Sequence, residues 1–164
     1  MNDQLSKVLN KQKKQISEPE KVVDDVVQLV GFIIGNEEYA IPILSIQEII
    51  KPIEYTRVPQ VPDYVLGVFN LRGDVIPLID LRKKFNLESE KQSEDTRYIV
   101  LKGEENIAGF VIDRLTEAIR IKRDRIDPPP ETIHSDSGMI YGVGKRDDSM
   151  LTILKVEALL KRDF

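Results

Sequence analysis

Four pairs of short apolar runs, each folded back on itself by a turn, constrain this chain more than any other feature. "VVQLVGFIIG" and "EEYAIPI" meet around Gly35-Asn36, and "YVLGVFNL" and "DVIPLIDL" around Arg72-Gly73. "DTRYIVLKG" and "NIAGFVID" meet around a Glu-Glu pair, and "IYGVGKRDDSMLTIL" carries its own polar turn. Runs rich in β-branched and aromatic residues, bounded by glycine and polar turn residues, predict β-hairpins. "TEAIRI" reads as one more short strand, and "DPPPETIHSDSG" must be loop because successive prolines cannot join a ladder. Pro52, Pro59 and Pro62 cut the chain between the first two hairpins into extended pieces and turns.

Helix is scarce in this pattern. In "ILSIQEII" the apolar residues Ile43, Leu44, Ile46, Ile49 and Ile50 fall close to helical spacing after Pro42, which suits a first helical turn. "KVEALLKRDF" closes the chain as a short helix. Residues 1–24 are polar, with Lys11, Lys13 and Lys14 clustered ahead of a Ser-Glu-Pro-Glu break, and predict a flexible arm. Leu5, Val8 and Leu9 could line one face of a short helix within it, though a helix of that length is marginal alone in water.

An internal echo sharpens the architecture. Gly67-Val68, then Leu71-Arg72-Gly73-Asp74, then "VIPLIDL" can be laid without a gap on Gly142-Val143, Arg146-Asp147-Asp148-Ser149 and "MLTILKV". Gly35-x-Glu37 with "AIPILSIQEI" echoes Gly103-x-Glu105 with "AGFVIDRLTEAI". Many short strands and a duplicated block predict a mainly β fold of two small barrel lobes on a shared core.

Composition removes several functions. The 164 residues hold no cysteine, which excludes a disulfide framework and a thiolate metal site or nucleophile, and suits a reducing compartment. A formal net charge of −4, ten aromatics without tryptophan, and basic residues scattered among acids argue against nucleic acid. The Arg82-Lys83-Lys84 run, soon followed by Glu88 and Glu90, reads as a solvated face of mixed sign. No apolar run approaches the roughly 18 residues of a membrane span, and the N-terminus lacks the apolar core of a signal peptide, so a cytoplasmic protein is expected. His134, the one histidine, sits in the Pro/Ser/Asp/Gly-rich loop with no second histidine to share a metal and no serine in a nucleophile-elbow setting. "GMIYGVGKRD" is no phosphate loop, since Met139 stands where the first glycine belongs and Arg146 where a Ser or Thr must bind Mg²⁺. No catalytic residues, metal or cofactor are expected.

Arg72 remains. Its five donors in a fixed fork could hold a partner's carboxylate, or it could pair with Asp74 or Asp80 of its own chain. Four stretches decide how it is weighed: "GNEEYAIPILSIQEII" at 35–50, "TRVPQVPDYVLGVFNLRGDVIPLIDLRKKF" at 56–85, "IAGFVIDRLTEAI" at 107–119 and "YGVGKRDDSMLTILKVEALL" at 141–160. From Val26 to Phe164 they resemble the CheW-like family of chemotaxis coupling proteins, the N-L-R-G-x-x-x-P-x-x-D-L-R run most specifically.

The resemblance implies two five-stranded, SH3-like barrel subdomains, at approximately 35–90 and 93–164, intertwined within a domain spanning 25–164. It implies a non-catalytic adaptor in the cytoplasm, recruited to membrane-associated arrays without inserting in the membrane. Its partners would be the cytoplasmic tips of chemoreceptors and the regulatory domain of the histidine kinase CheA. By position, Ile46, Glu48, Ile49, Gly67, Asn70, Arg72 and Gly142 match the receptor side. Gly109, Leu115 and Ala118 match contact strands nearer the kinase or the groove between subdomains, and Glu131 falls in a Pro-rich segment used for ring contacts. Thr132 departs from the family there, at a commonly apolar position. The rivals are a CheA regulatory domain and the N-terminal domain of a CheV-type coupling protein. A start at methionine with a polar arm, and an end just after the closing helix, favour the free-standing adaptor.

Overall fold

Left-handed turn residues place three of the four hairpins where the sequence puts them. The computed structural model describes residues 25–130, 138–162 and 164. The predicted arm, Glu131 and His134 lie outside the described residues. Strand β1 (Val26–Ile34) returns as β2 (Glu37–Pro42) through Gly35, whose φ of 66° suits a residue without a Cβ. β4 (Val65–Leu71) returns as β5 (Asp74–Asp80), β6 (Arg97–Lys102) as β7 (Ile107–Ile112), and β10 (Ile140–Arg146) as β11 (Ser149–Leu154). Between the last two hairpins run β8 (Arg114–Lys122), longer than "TEAIRI" suggested, and the two-residue β9 (Ile126–Asp127). Helix α1 (Leu81–Lys84) follows β5, and α2 (Val156–Leu160) follows β11.

One expectation is overturned. "ILSIQEII" is a single 3₁₀ turn, Ile43–Ser45, followed by β3 (Ile46–Ile50), and not an α-helix. A bulge explains the misleading spacing. β3 pairs with β6 as Ile46 opposite Leu101 and Glu48 opposite Val100, so Gln47 is an extra residue in the ladder. In a regular strand residues three apart face opposite sides; the bulge turns Ile46 and Ile49 to the same side. Both then pack against the core between the sheets. Helical periodicity and a bulged strand look alike over so short a window.

The strands form two sheets, ordered β8-β1-β2-β11-β10-β9 and β3-β6-β7-β5-β4. The mainly β, two-lobed fold is borne out, with β9 adding a sixth strand to one sheet. The sequence echo reappears as topology. In each sheet an antiparallel hairpin (β1-β2 or β6-β7) pairs in parallel with the second strand of another (β11 or β5). Gly67 opposes Leu78 and Gly142 opposes Ile153, the residues that the ungapped alignment matches, and a register shift precedes each glycine. The bridge of Thr56 to Val68 has its counterpart in Asp127 opposite Val143. Yet β1-β2 sits with the late strands and β6-β7 with the early ones. Each lobe therefore borrows its central hairpin from the other half of the chain.

Three apolar clusters follow. Leu29, Ala40, Ile119, Ile121, Leu151 and Ile153 fill one lobe, and Phe69, Ile76, Leu78, Tyr98 and Val100 fill the other. Between the sheets lies the largest, with Phe32, Ile34 and Ile41 from one side and Ile99, Phe110 and Ile112 from the other. Leu159 and Leu160 of α2 complete it.

A polar joint pins the lobes together. Arg82 of α1 donates from Nε to Oδ1 of Asp113 at 2.9 Å and from Nη2 to Oδ2. Asp113, between β7 and β8, also accepts from the Gly35 N–H at 2.8 Å. The Arg82 side chain is only 15% exposed, so the solvated face expected for Arg82-Lys83-Lys84 does not hold at its first member. The bidentate bond to Asp113 raises the guanidinium pKa further above its ordinary value, against the opposing effect of burial. Asp80, itself buried, accepts from the Arg82 N–H at 3.0 Å and from Ser89 Oγ at 2.9 Å, which caps α1.

Candidate functional site

Arg72 stands at the tip of the β4-β5 hairpin in a two-residue turn, with φ of 52° followed by 91° at Gly73. Both central residues are left-handed, the geometry that matches strand twist in tight hairpins. Asn70 secures the turn, its Oδ1 accepting from the Gly73 N–H at 3.0 Å. The arginine does not pair with Asp74 or Asp80. Its Nη2 meets Oε1 of Glu48, on β3, at 2.7 Å. Asp80 is turned inward to cap α1, which takes it out of the contest.

This contact carries structural information. β3 and β4 are the two outermost strands of their sheet. Laid flat, four strand spacings of about 4.8 Å would part them by about 19 Å. An ion pair between them requires the sheet to curl until its edges meet. The other lobe has the same device. Arg146, at the end of β10, donates to Glu117 of the outermost β8 at 3.0 Å and to Glu38 of β2 at 2.7 Å. Thr116 Oγ1 adds a 2.6 Å bond to the second oxygen of Glu38. A Cβ on Gly31 would lie 2.4 Å from that threonine oxygen, so the glycine clears the crossing. Each lobe is thus clasped by an arginine on a hairpin and a glutamate on the opposite edge. The Arg146 cluster escaped the sequence reading; its one signal was Arg146 falling beside the position of Arg72 in the repeat.

The remaining residues of the receptor set divide by environment. Ile46 and Ile49 are half-buried against the central core, and Glu48 between them is 23% exposed beside an Arg72 that is 77% exposed. Gly67 is buried, and a Cβ there would lie 2.1 Å from the carbonyl oxygen of Thr56. Gly142 is its counterpart in the other lobe, 2.7 Å from the carbonyl oxygen of Asp127 by the same measure. Both glycines admit the chain's own backbone. Asn70, Arg72 and Glu48 are joined through the turn and its ion pair, Ile46 and Ile49 face the central core on the other side of β3, and Gly142 belongs to the other lobe.

In the second set, Gly109 is buried in β7 beneath the ring of Phe69, which a Cβ would approach to 2.7 Å. Leu115 and Ala118 lie on β8, opposite Phe32 and Val30. Leu115 is half-buried against the central core, whereas Ala118 is exposed. Glu131 lies outside the described residues. β8 is an outer strand of its sheet, as β3 is of the other, so both candidate sets include an outer strand. Among the described residues no group of three or more His, Cys, Asp or Glu is placed to hold a metal ion, and no helix is long and apolar enough to cross a membrane.

Two curled lobes, each clasped by an arginine–glutamate pair and packed on a common apolar core, define a two-lobed β-rich module. The CheW-like domain matches residues 28–164. The chain is 57% identical to the chemotaxis protein CheW of Helicobacter pylori over all of both chains. It is 32% identical to the chemotaxis protein CheW of Bacillus subtilis, over 83% of this chain and 88% of that one. It also matches the chemotaxis protein CheV3 of Helicobacter pylori at 30% identity, covering 86% of this chain and half of that protein. In structure it resembles the scaffolding protein TtCheW from Thermoanaerobacter tengcongensis, with a TM-score of 0.74, 34% identity, and 79% and 88% of the two chains covered. The chain belongs to the CheW-like domain family.

Proposed function

We propose that this protein is a non-catalytic adaptor of chemotaxis, coupling the cytoplasmic tips of chemoreceptors to the regulatory domain of the histidine kinase CheA. The observation that carries the reading is 57% identity to a chemotaxis protein CheW across the full length of both chains. The receptor side comprises Ile46, Glu48, Ile49, Asn70 and Arg72, with Gly67 shaping β4 and Gly142 at the corresponding position of the other lobe. The kinase side is β8 with Leu115 and Ala118, backed by Gly109, and Glu131 belongs to the contacts that link subunits into rings. Recruitment to membrane-associated arrays follows from binding receptors, with no insertion of this chain.

The chemistry suits that assignment. Arg72 offers a fork of donors at a hairpin tip, and Glu48 beside it holds the fork in place before a partner arrives. A receptor carboxylate competing for Arg72 exchanges one ion pair for another, so the arginine is never left unpaired. On β8, an exposed Ala118 next to half-buried Leu115 provides a small apolar patch on an outer strand. Reconstitution with CheA and a receptor cytoplasmic fragment, read as kinase autophosphorylation, tests the reading. Receptor control of the kinase should appear only when all three are mixed. Kinase activity indifferent to this protein would overturn it.

A further inference from the structure

Adjacent residues of a regular strand point to opposite faces, yet Thr116 and Glu117 of β8 both join one polar cluster. A bulge allows it. Ala118 lies opposite Val30 of β1 and Leu115 opposite Phe32, so β8 advances three residues while β1 advances two. Thr116 Oγ1 donates to Glu38 Oε2 at 2.6 Å, and Glu38 Oε1 accepts from Arg146 Nη2 at 2.7 Å. Arg146 Nη1 donates in turn to Glu117 Oε1 at 3.0 Å. These bonds form a ring that starts and ends on the two residues of the bulge.

The ring lies on one face of the sheet and the kinase-side residues on the other. Val30 and Phe32 are two apart on β1 and share a face, and so do Ala118 and Leu115 opposite them. Gly31, between the two, has its Cβ direction on the opposite face, and that direction leads to Thr116 Oγ1 and Glu38 Oε2. Without the extra residue, positions three apart such as 115 and 118 would face opposite sides. The bulge therefore makes Leu115 and Ala118 one surface, with Leu115 seated on the central core and Ala118 exposed. A bulge disrupts the ladder locally, and a slip of one residue there would turn every side chain beyond it to the other face. The ring opposes that slip, because β2 and β10, which supply Glu38 and Arg146, are both inner strands of the sheet. Arg146 is 27% exposed and Glu38 18%, so water competes less for their bond than for that of Arg72. The other outer strand is gripped in the same manner: β3 bulges at Gln47, and its Glu48 is held by Arg72 from a hairpin.

We infer that Arg146 and Glu38 are positioning residues for the kinase side: from the far face of the sheet they pin the bulge of β8 and so set Leu115 and Ala118 together for the partner. The inference rests on the assignment of the kinase side to β8.

Titration calorimetry of full-chain variants with the CheA regulatory domain tests it. Arg146→Gln opens the ring on one side, and Thr116→Val opens it on the other with little change of shape. Each should lower affinity about fivefold, and the two together no more than the stronger alone, because either one opens the same ring. Thr116→Ser, which keeps the hydroxyl, should restore wild-type binding. In the free protein, amide hydrogen exchange should quicken from Thr116 to Ala118 in both opened variants while the β4-β5 hairpin keeps its protection. Fully additive losses would mean that the two side chains touch the partner separately, and would overturn the inference. Protection lost in both lobes would mark the ring as a support of the whole fold and overturn it equally. So would unchanged affinity on opening the ring while Ala118→Glu still weakens binding. If Ala118→Glu itself leaves affinity unaltered, the kinase side is not on β8, and the reading on which the inference rests falls with it.

Discussion

Arg72 holds two properties in one residue that mutagenesis can separate. Its backbone is left-handed, where a residue with a Cβ is strained by about 1 kcal/mol, and its side chain makes an exposed ion pair worth about as much or less. Replacing it by glycine removes both, so Arg72→Gly should shift unfolding free energy by no more than about 1 kcal/mol. Receptor coupling should nevertheless fall by about tenfold or more, the signature of an arginine at an interface centre. Denaturant titration and receptor-dependent kinase activation on the same preparation check the two halves. Tyr39 makes a different kind of statement. Burial, and then the charge and hydrogen bond of Glu37, push its pKa up to about 12. The fold favours the neutral phenol, so this contribution is complete below 10.0, the ordinary value, and is lost as pH rises toward about 12. Tyr39→Phe should flatten the decline in stability across that interval, measured by melting at a series of alkaline pH values.

At the scale of elements, glycine at the bulges and charge at the edges carry the expectations. The Thr56 carbonyl occupies the space where a Cβ on Gly67 would project, and carbonyl and strand also exchange backbone bonds of 2.8 Å through Val68. Gly67→Ala should therefore cost about 3 kcal/mol or more, because backbone has to move and no flexible side chain can yield instead. A melting temperature unchanged from wild type would show that the 56–57 segment is free to shift. On β8 the contrast is the opposite. Ala118 is exposed, so Ala118→Glu should leave stability within about 0.5 kcal/mol and still weaken binding of the kinase regulatory domain. Calorimetric titration with that domain decides it; unaltered affinity would move the kinase surface off this strand.

At the scale of the molecule, the exchange of hairpins makes the lobes dependent on each other. β1-β2 must leave one lobe's chain neighbourhood to complete the other, and the Arg82–Asp113 pair sits where the chain crosses between sheets. Among the described residues, removing Asp113 leaves Arg82 with only the exposed Glu90, at 3.4 Å, as an ion-pair partner. Asp113→Asn should cost about 3 kcal/mol, and both lobes should still unfold in a single transition, since each contains strands of the other half. Denaturation followed by far-ultraviolet dichroism and by tyrosine fluorescence should give coincident curves. Separate transitions would show that the lobes are independent after all.

Local chemistry determined the turns, and with them most of the strands. Gly35, the Arg72-Gly73 pair and the polar turn after Arg146 dictate reversals wherever they occur, because only a few residue types adopt left-handed backbone cheaply. The repeat was also legible, since the two bulge glycines face the same steric demand in both lobes. Tertiary structure decided the rest. Whether Ile43 to Ile50 becomes helix or strand depends on the ladder with β6 and on one extra residue at Gln47, which no window along the chain contains. The partner of Arg72 is Glu48, 24 positions away, because curling the sheet brings its two edges together. Arg82 is half of a buried joint for a similar reason: Asp113 reaches it only once the borrowed hairpin has put Gly35 beside both. Turns are decided by the residues that make them, whereas contacts between edges exist only after the whole sheet has closed.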